Sequence, residues 1–333
     1  CEEHFDCPQV SVDEKVNVSL SIGFADEVDG YTLSASSSTK SATKQGVFDY
    51  DLQPSLQTKS TGVKPDKLYN LEIQQYDRSG NRIGGMSSAV TQEIGSALTL
   101  TLAEAVDCQL VLVAWGEGNT KTLGTTNLAT AQTVSLDASV IKNLDPAVQS
   151  DMNNMPYVLH LEHVNVTKDG TNGTNGIISS PEDKDVRLLL QRLASRLTLE
   201  WKYSYTGYTL KQILLESIPL NYNVVAMPDE NKTYPSLLDQ FTIIQLTETE
   251  IKNNSYSCWI PANVRGISSS ATSQTYRIKS NAPIGSAYAS FIAIHKTENK
   301  KKLNYRVYLG CNNSSDFNLY SNTDYNYTVN IAH

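Results

Sequence analysis

Apolar side chains occupy even-numbered positions at Val10, Val12, Val16, Val18, Leu20 and Ile22, with polar residues at most positions between them. Period two marks a half-buried strand, so one long strand is predicted near the start of the chain. The alternation returns at Leu98-Thr99-Leu100-Thr101-Leu102. Leu68 to Asp77 reads as a strand, Arg78-Ser79-Gly80-Asn81 as a turn and Arg82-Ile83 as the start of the returning strand. Cys108 to Trp115 is the most apolar run of the first half, which predicts a central strand covered on both faces. Tyr157 to Val164 reads as another strand, and the stretch from Leu136 to Met152 as holding a short helix.

Two stretches break the pattern. Ser34 to Gln45 is rich in Ser, Thr and Lys and reads as a loop. Residues 165–180 carry Gly170, Gly173 and Gly176 spaced by polar residues, which suits a long hairpin loop or an interdomain connection. The strongest helical signal follows. Pro181 fits a first helical position with Ser180 as its cap, and Glu182, Asp183 and Asp185 at the start and Arg192 and Arg196 at the end match the helix dipole. Val186, Leu189, Leu190, Leu193 and Leu197 would share one face. Period two resumes from Leu197 to Tyr203, and further strands are predicted around Leu210–Pro219, Gln274–Lys279, Ala287–His295, Tyr305–Leu309 and Tyr325–Ile331.

Many short strands with one helix predict an all-β protein with sheet-on-sheet packing. The expected plan is a tether over residues 1–7, a β-sandwich domain over 8–180, and a second over 181–333 opened by the helix. The 333 residues suffice for two domains, and 40% hydrophobic with 19% charged residues is the balance of a folded chain. The net charge of −8 argues against nucleic acid as a partner, because phosphate binding needs a concentrated basic surface. Lys300-Lys301-Lys302 reads as a solvated hairpin tip, and no apolar run reaches the length of a membrane-spanning helix.

Candidate chemistry is sparse. Residue 1 is a cysteine, the residue that carries lipid in a mature bacterial lipoprotein, so Cys1 is the candidate lipidation site. One acyl chain holds only marginally, and stable anchoring needs more than one. With Cys1 so used, Cys7, Cys108, Cys258 and Cys311 remain, open either to disulfide pairing or to burial as small apolar residues. They form no CxxC pair, which argues against zinc. On a strand His160 and Glu162 would share a face and His163 would point away, too few ligands for a metal. Asp26 to Gly30 and Asp169 to Gly176 lack the spacing of a calcium loop and read as turns. Trp115, Trp201 and Trp259 lie in strand-like runs and read as core rather than sugar platforms. The common hydrolase and nucleotide signatures do not occur, so no catalytic residue, metal ligand or cofactor is predicted.

The motifs Leu190-Gln191-Arg192-Leu193-Ala194-Ser195, Cys258-Trp259-Ile260-Pro261-Ala262-Asn263-Val264-Arg265-Gly266 and the tyrosine-rich strands at 305–310 and 325–331 point further. With Cys1 followed by Cys7-Pro8, they resemble the fimbrillin-like lipoproteins of Bacteroides-type bacteria, the type V fimbrial superfamily. The resemblance is specific in the second domain and loose elsewhere. It implies two tandem transthyretin-like β-sandwiches in a non-enzymatic surface fimbria subunit that supports adhesion. It further implies partnership with other fimbrial subunits through β-strand exchange, with the outer membrane through lipid on Cys1, and with a host glycan or protein. In such pilins, proteolysis after a basic residue removes an early strand and a neighbour's terminal strand fills the groove. No Arg precedes Arg78, which leaves Lys15, Lys40, Lys44 and Lys59 as cutting points. An uncut, lipidated start and an end just past Ile331 suit an anchor or tip rather than a stalk unit. The alternative is a surface lipoprotein that binds glycan or host protein by itself.

Overall fold

The computed structural model describes residues 14–25, 48–55, 63–170, 173–181, 186–225, 234–235 and 241–332. In chain order the first strands are β1 (Lys15–Phe24), β2 (Asp49–Ser55), β3 (Leu68–Tyr76), β4 (Arg82–Gly85), β5 (Val90–Gln92), β6 (Ala97–Ala103), β7 (Ala105–Ala114), β8 (Ser135–Asp137), β9 (Tyr157–Lys168) and β10 (Asn175–Ser179). Then come β11 (Leu188–Arg192), β12 (Ser195–Tyr203), β13 (Tyr208–Pro219), β14 (Asn221–Asn223), β15 (Phe241–Gln245), β16 (Ser255–Ile260), β17 (Asn263–Ile267), β18 (Tyr288–His295), β19 (Lys302–Tyr308), β20 (Asp316–Leu319) and β21 (Asp324–Ile331). Short helices α1 (Leu128–Ala131), α2 (Ser139–Lys142), α3 (Gln149–Met152) and α4 (Glu248–Lys252) lie in the connections. The protein is all-β, as the alternation predicts.

The first core is wrapped by one curled sheet, ordered β10-β1-β11-β9-β7-β3-β4, with β6 paired to β1 and β5 to β3. Buried Gln75 of β3 ties the curl together. Its Oε1 accepts from the Ala103 N–H at 2.8 Å and its Nε2 donates to the Ala103 carbonyl at 2.8 Å, reaching the end of β6. As predicted, β7 is central, between β3 and β9, and Leu110 to Val113 are fully buried. The turn at 77–81 also forms as expected, with Asp77 Oδ1 accepting from the Asn81 N–H and Gly80 at φ +88°. Residues 169–174 join β9 to β10, so the glycine-rich stretch is a hairpin connection, two of whose residues lie outside those described.

The second core lies between two facing sheets, β16-β12-β21-β2 and β15-β13-β18-β19. Leu197, Leu199 and Trp201 of β12 meet Ile213, Leu215, Ala289 and Phe291 across it, and the Trp201 and Phe291 rings stand edge to face at 6.0 Å. β17 and β20 form a separate ribbon at one side.

Strand pairing crosses the expected division at residue 180 in both directions. β11 lies in the first sheet, parallel to β1 and antiparallel to β9, whereas β2, far earlier in the chain, lies antiparallel to β21 in the second. The two halves are also stitched by the β8–β14 ladder, beyond which Val224 and Val225 enter the first core.

The helix predicted from Pro181 is not found. Leu188–Arg192 and Ser195–Tyr203 are strands, and residues 182–185 lie outside those described. Leu188, Leu190 and Arg192 are buried in alternation. The same leucines therefore satisfy either period, and the slot between β1 and β9 selects the strand. The strand predicted at Gln274–Lys279 is likewise a single 3-10 turn, Gln274–Tyr276. Arg277 ends that turn by turning inward to donate to the carbonyls of Tyr308 and Asp316.

Candidate strand-exchange seams

β1 is seated as an insert. One edge pairs antiparallel with β6 from Lys15↔Ala103 to Ser21↔Ala97, and the other runs parallel to β10 and then to β11. Val16, Val18, Leu20 and Ile22 are 0–4% exposed, while Lys15, Asn17, Ser19 and Ser21 face out. Each fully buried side chain of this size contributes roughly 1.5–3 kcal/mol, so β1 holds its seat by about 6–12 kcal/mol of burial at most. The pocket under Val16 is shaped by Gly176, where an added Cβ would lie 2.6 Å from Val16 Cγ2. At the rim Lys15 Nζ donates to the Ile83 carbonyl, Ser21 Oγ donates to the Gly95 carbonyl, and Glu14 pairs with Lys168. Lys15 is paired within the β1–β6 ladder, a poor site for a protease in the folded chain. Lys40, Lys44 and Lys59 lie outside the described residues.

β2 forms the second seam. Its inner edge pairs with β21 from Asp49↔Asn330 to Ser55↔Asp324, and Tyr50 and Leu52 are buried in the second core. Among the described residues its outer edge is closed by side chains rather than by a strand. Asn313 Oδ1 accepts from the Leu52 N–H at 2.8 Å, Gln274 Nε2 donates to the Tyr50 carbonyl, and Tyr50 Oη donates to the Gln274 carbonyl at 3.1 Å. Pro54 follows in phase with Leu52 and has no N–H to leave unpaired on that side, as suits an edge strand. This seam was not foreseen; its signal is the alternation Phe48, Tyr50, Leu52.

β21 lies between β12 and β2, with Tyr325, Tyr327, Val329 and Ile331 at most 1% exposed. Tyr325 Oη accepts from the Tyr320 N–H at 2.7 Å, and Tyr327 Oη donates to the Gly310 carbonyl at 3.0 Å. Lending this strand to a neighbour would break both bonds and open the second core.

Residues 258–329 match a family model described as a domain of unknown function (DUF4906). That segment runs from within β16 into β21 and includes the Asn313 and Gln274 clasp. No curated protein matches the chain. Among solved structures, the C-terminally truncated tip fimbrial protein Mfa3 of Porphyromonas gingivalis is similar at 14% identity and TM-score 0.47, covering 85% of this chain and 99% of that one. A fimbrilin of Porphyromonas gingivalis is similar at 10% identity and TM-score 0.46, covering 96% of this chain and 98% of that one.

Among the other residues singled out in the sequence, Cys1 and Cys7 lie outside those described. Cys108, Cys258 and Cys311 are buried thiols without disulfides, and desolvation raises all three thiol pKa values, that of Cys258 to about 12. His160 and His163 make separate contacts. His160 Nε2 meets Gln109 Oε1 at 2.8 Å, with burial pushing its pKa down to about 4, whereas His163 Nδ1 meets Asp107 Oδ1 at 2.7 Å. Among the described residues no group of three or more His, Cys, Asp or Glu is placed to hold a metal ion. All three tryptophans are buried, as their strand settings predict. Trp115 Nε1 donates to buried Glu72, which also accepts from Gln74, Thr122 and the Leu123 N–H. Trp259 extends from β16 into the first core, its Nε1 donates to the Leu144 carbonyl at 2.7 Å, and its ring carries the Arg192 and Arg196 guanidiniums at 4.5 and 4.7 Å.

Proposed function

We propose that this chain is a non-enzymatic structural subunit of a type V bacterial surface fimbria, joined to its neighbours by β-strand complementation and supporting cell adhesion. The observation that carries this reading is the seat of β1. An N-terminal strand fills a slot between β6 on one side and β10 and β11 on the other, with four alternating apolar side chains as its plug. A strand from another subunit with the same alternation could take that slot, main-chain bonds giving affinity and the pockets giving register. The pocket beside Gly176 would restrict the first plug residue to about the size of valine. In this reading the subunit serves as anchor or tip at the cell surface, with lipid on Cys1 tying an anchor to the outer membrane.

The test mixes the purified chain with candidate fimbrial subunits and looks for an SDS-resistant ladder. Val18→Asp with Leu20→Asp, which weakens the resident plug, should speed ladder formation. A complete lack of ladder with every partner, for both the parent chain and this variant, would count against strand complementation. Mass spectrometry of the membrane-derived protein reads the acylation of Cys1 separately.

A further inference from the structure

The strand directions set a cluster of aromatic residues at the pole of the second sandwich that faces away from the first domain. β12 starts at Ser195, beside the Arg192–Asp324 ion pair at the junction, and ends at Tyr203. β13 starts at Tyr208 and returns to Pro219, just before the β14 ladder with the first domain. The turn between them therefore caps the far end. Around it Tyr205 and Tyr208 stand edge to face at 5.2 Å, and Tyr208 and His295 edge to face at 5.0 Å. Tyr305 packs against Phe48 at 5.1 Å nearby. All of these residues are half-buried, so the cluster lies at the surface.

The polar atoms of the cluster are arranged for an outside partner. The His295 Nδ1 accepts from the backbone N–H of Glu298 at 3.0 Å, which puts the ring proton on Nε2. Tyr203 Oη is engaged with the Tyr208 carbonyl at 2.6 Å. Burial, and after it the nearby Tyr205 and Tyr208, raise the Tyr305 pKa, so its hydroxyl stays protonated as a donor. The hairpin between β18 and β19 leans on the same turn through the Lys296 N–H, which donates to the Gly207 carbonyl at 3.2 Å. That hairpin exposes Lys296, Lys300, Lys301 and Lys302, against Glu298, which is taken up by Lys301 at 2.5 Å. A local positive field beside tyrosine faces stands out on a chain of net charge −8.

We propose that this pole binds an acidic glycan, a pyranose ring resting in the corner between the near-perpendicular Tyr205 and Tyr208 rings while a carboxylate or sulfate meets the lysines of the hairpin. Tyrosine supplies a rigid apolar face with a hydroxyl at its rim, the combination suited to a ligand that is both flat-sided and polar. Charge complementarity selects the acidic sugar over the neutral one. This goes beyond the fimbrial reading, since binding needs no second subunit.

The test is calorimetric titration of the monomeric full chain with sialyllactose, with a heparin-derived oligosaccharide and with lactose. Binding of sialyllactose alone assigns the carboxylate, of heparin alone the sulfate, and both should weaken as salt is added. Lys300→Glu with Lys301→Glu, on the exposed hairpin, should weaken the acidic ligand by about tenfold, equivalent to about 1.4 kcal/mol. Tyr208→Ser should abolish binding, while Tyr208→Phe should keep most of it. Lactose bound as well as the acidic sugars, no acidic sugar bound, or equal binding by the parent chain and the lysine variant would each overturn the proposal. Because monomer is measured, failure here leaves strand complementation standing, and the reverse.

Discussion

Leu52→Ala is the sharpest test of the architecture, because the residue lies early in the chain and yet belongs to the second core. Leu52 is 2% exposed in the second core, and among the described residues its strand pairs only with β21. Leucine-to-alanine changes in cores cost about 2–5 kcal/mol. β2 is an edge strand that can settle inward, so the lower part of that range, about 2–3 kcal/mol, is expected. Asn313→Ala should add about 1 kcal/mol by removing the acceptor 2.8 Å from the Leu52 N–H, less than additively, since the two share one backbone group. Urea denaturation gives the size of the effect, and amide hydrogen exchange gives its place. Protection should fall along Tyr325–Ile331, whose backbone pairs with β2, and stay unchanged along β7. A loss of protection centred on β3 or β7, or a loss of stability well below 1 kcal/mol, would refute the placement of β2.

Trp259→Ala should cost about 3–5 kcal/mol and separate the unfolding of the two halves, because it removes both the side chain that enters the first core and the ring under Arg192 and Arg196. Trp259→Phe should keep a single transition, as read by calorimetry. For His160, burial depresses the folded pKa from 6.5 to about 4, so its contribution to stability is full above 6.5 and is lost as pH falls through that interval. Denaturation across a pH series should show a slope of up to about 1.4 kcal/mol per pH unit there that His160→Asn removes; an unchanged slope would clear His160 of the effect. Alkylation followed by mass spectrometry should leave Cys108, Cys258 and Cys311 unlabelled in the native protein and label them in urea, and native labelling of any of them would contradict its burial.

Local pattern carried β1, the β3–β4 turn, β6, β7 and β9, since each is decided by side-chain period and turn residues within about ten positions. The plug of the first seam was legible in the same way, as Val16, Val18, Leu20 and Ile22. Its walls were not, because β6, β10 and β11 are brought to β1 from distant parts of the chain. The clasp on β2 was hidden for the same reason: Asn313 and Gln274 are separated from Tyr50 and Leu52 by more than two hundred residues. The aromatic pole likewise gathers Phe48, Tyr208, His295 and Tyr305 from four separate segments.

Alternation of small apolar and polar residues was enough to fix an all-β chain, because a strand's two faces are set by its own sequence. The leucines between 186 and 197 fit two periods, and only the open slot between β1 and β9 made Leu188–Arg192 a strand. The home of each strand was decided the same way. β2 joins the sheet of the second core and β11 that of the first because burial and pairing depend on which edges lie within reach in space, a quantity the linear order does not hold.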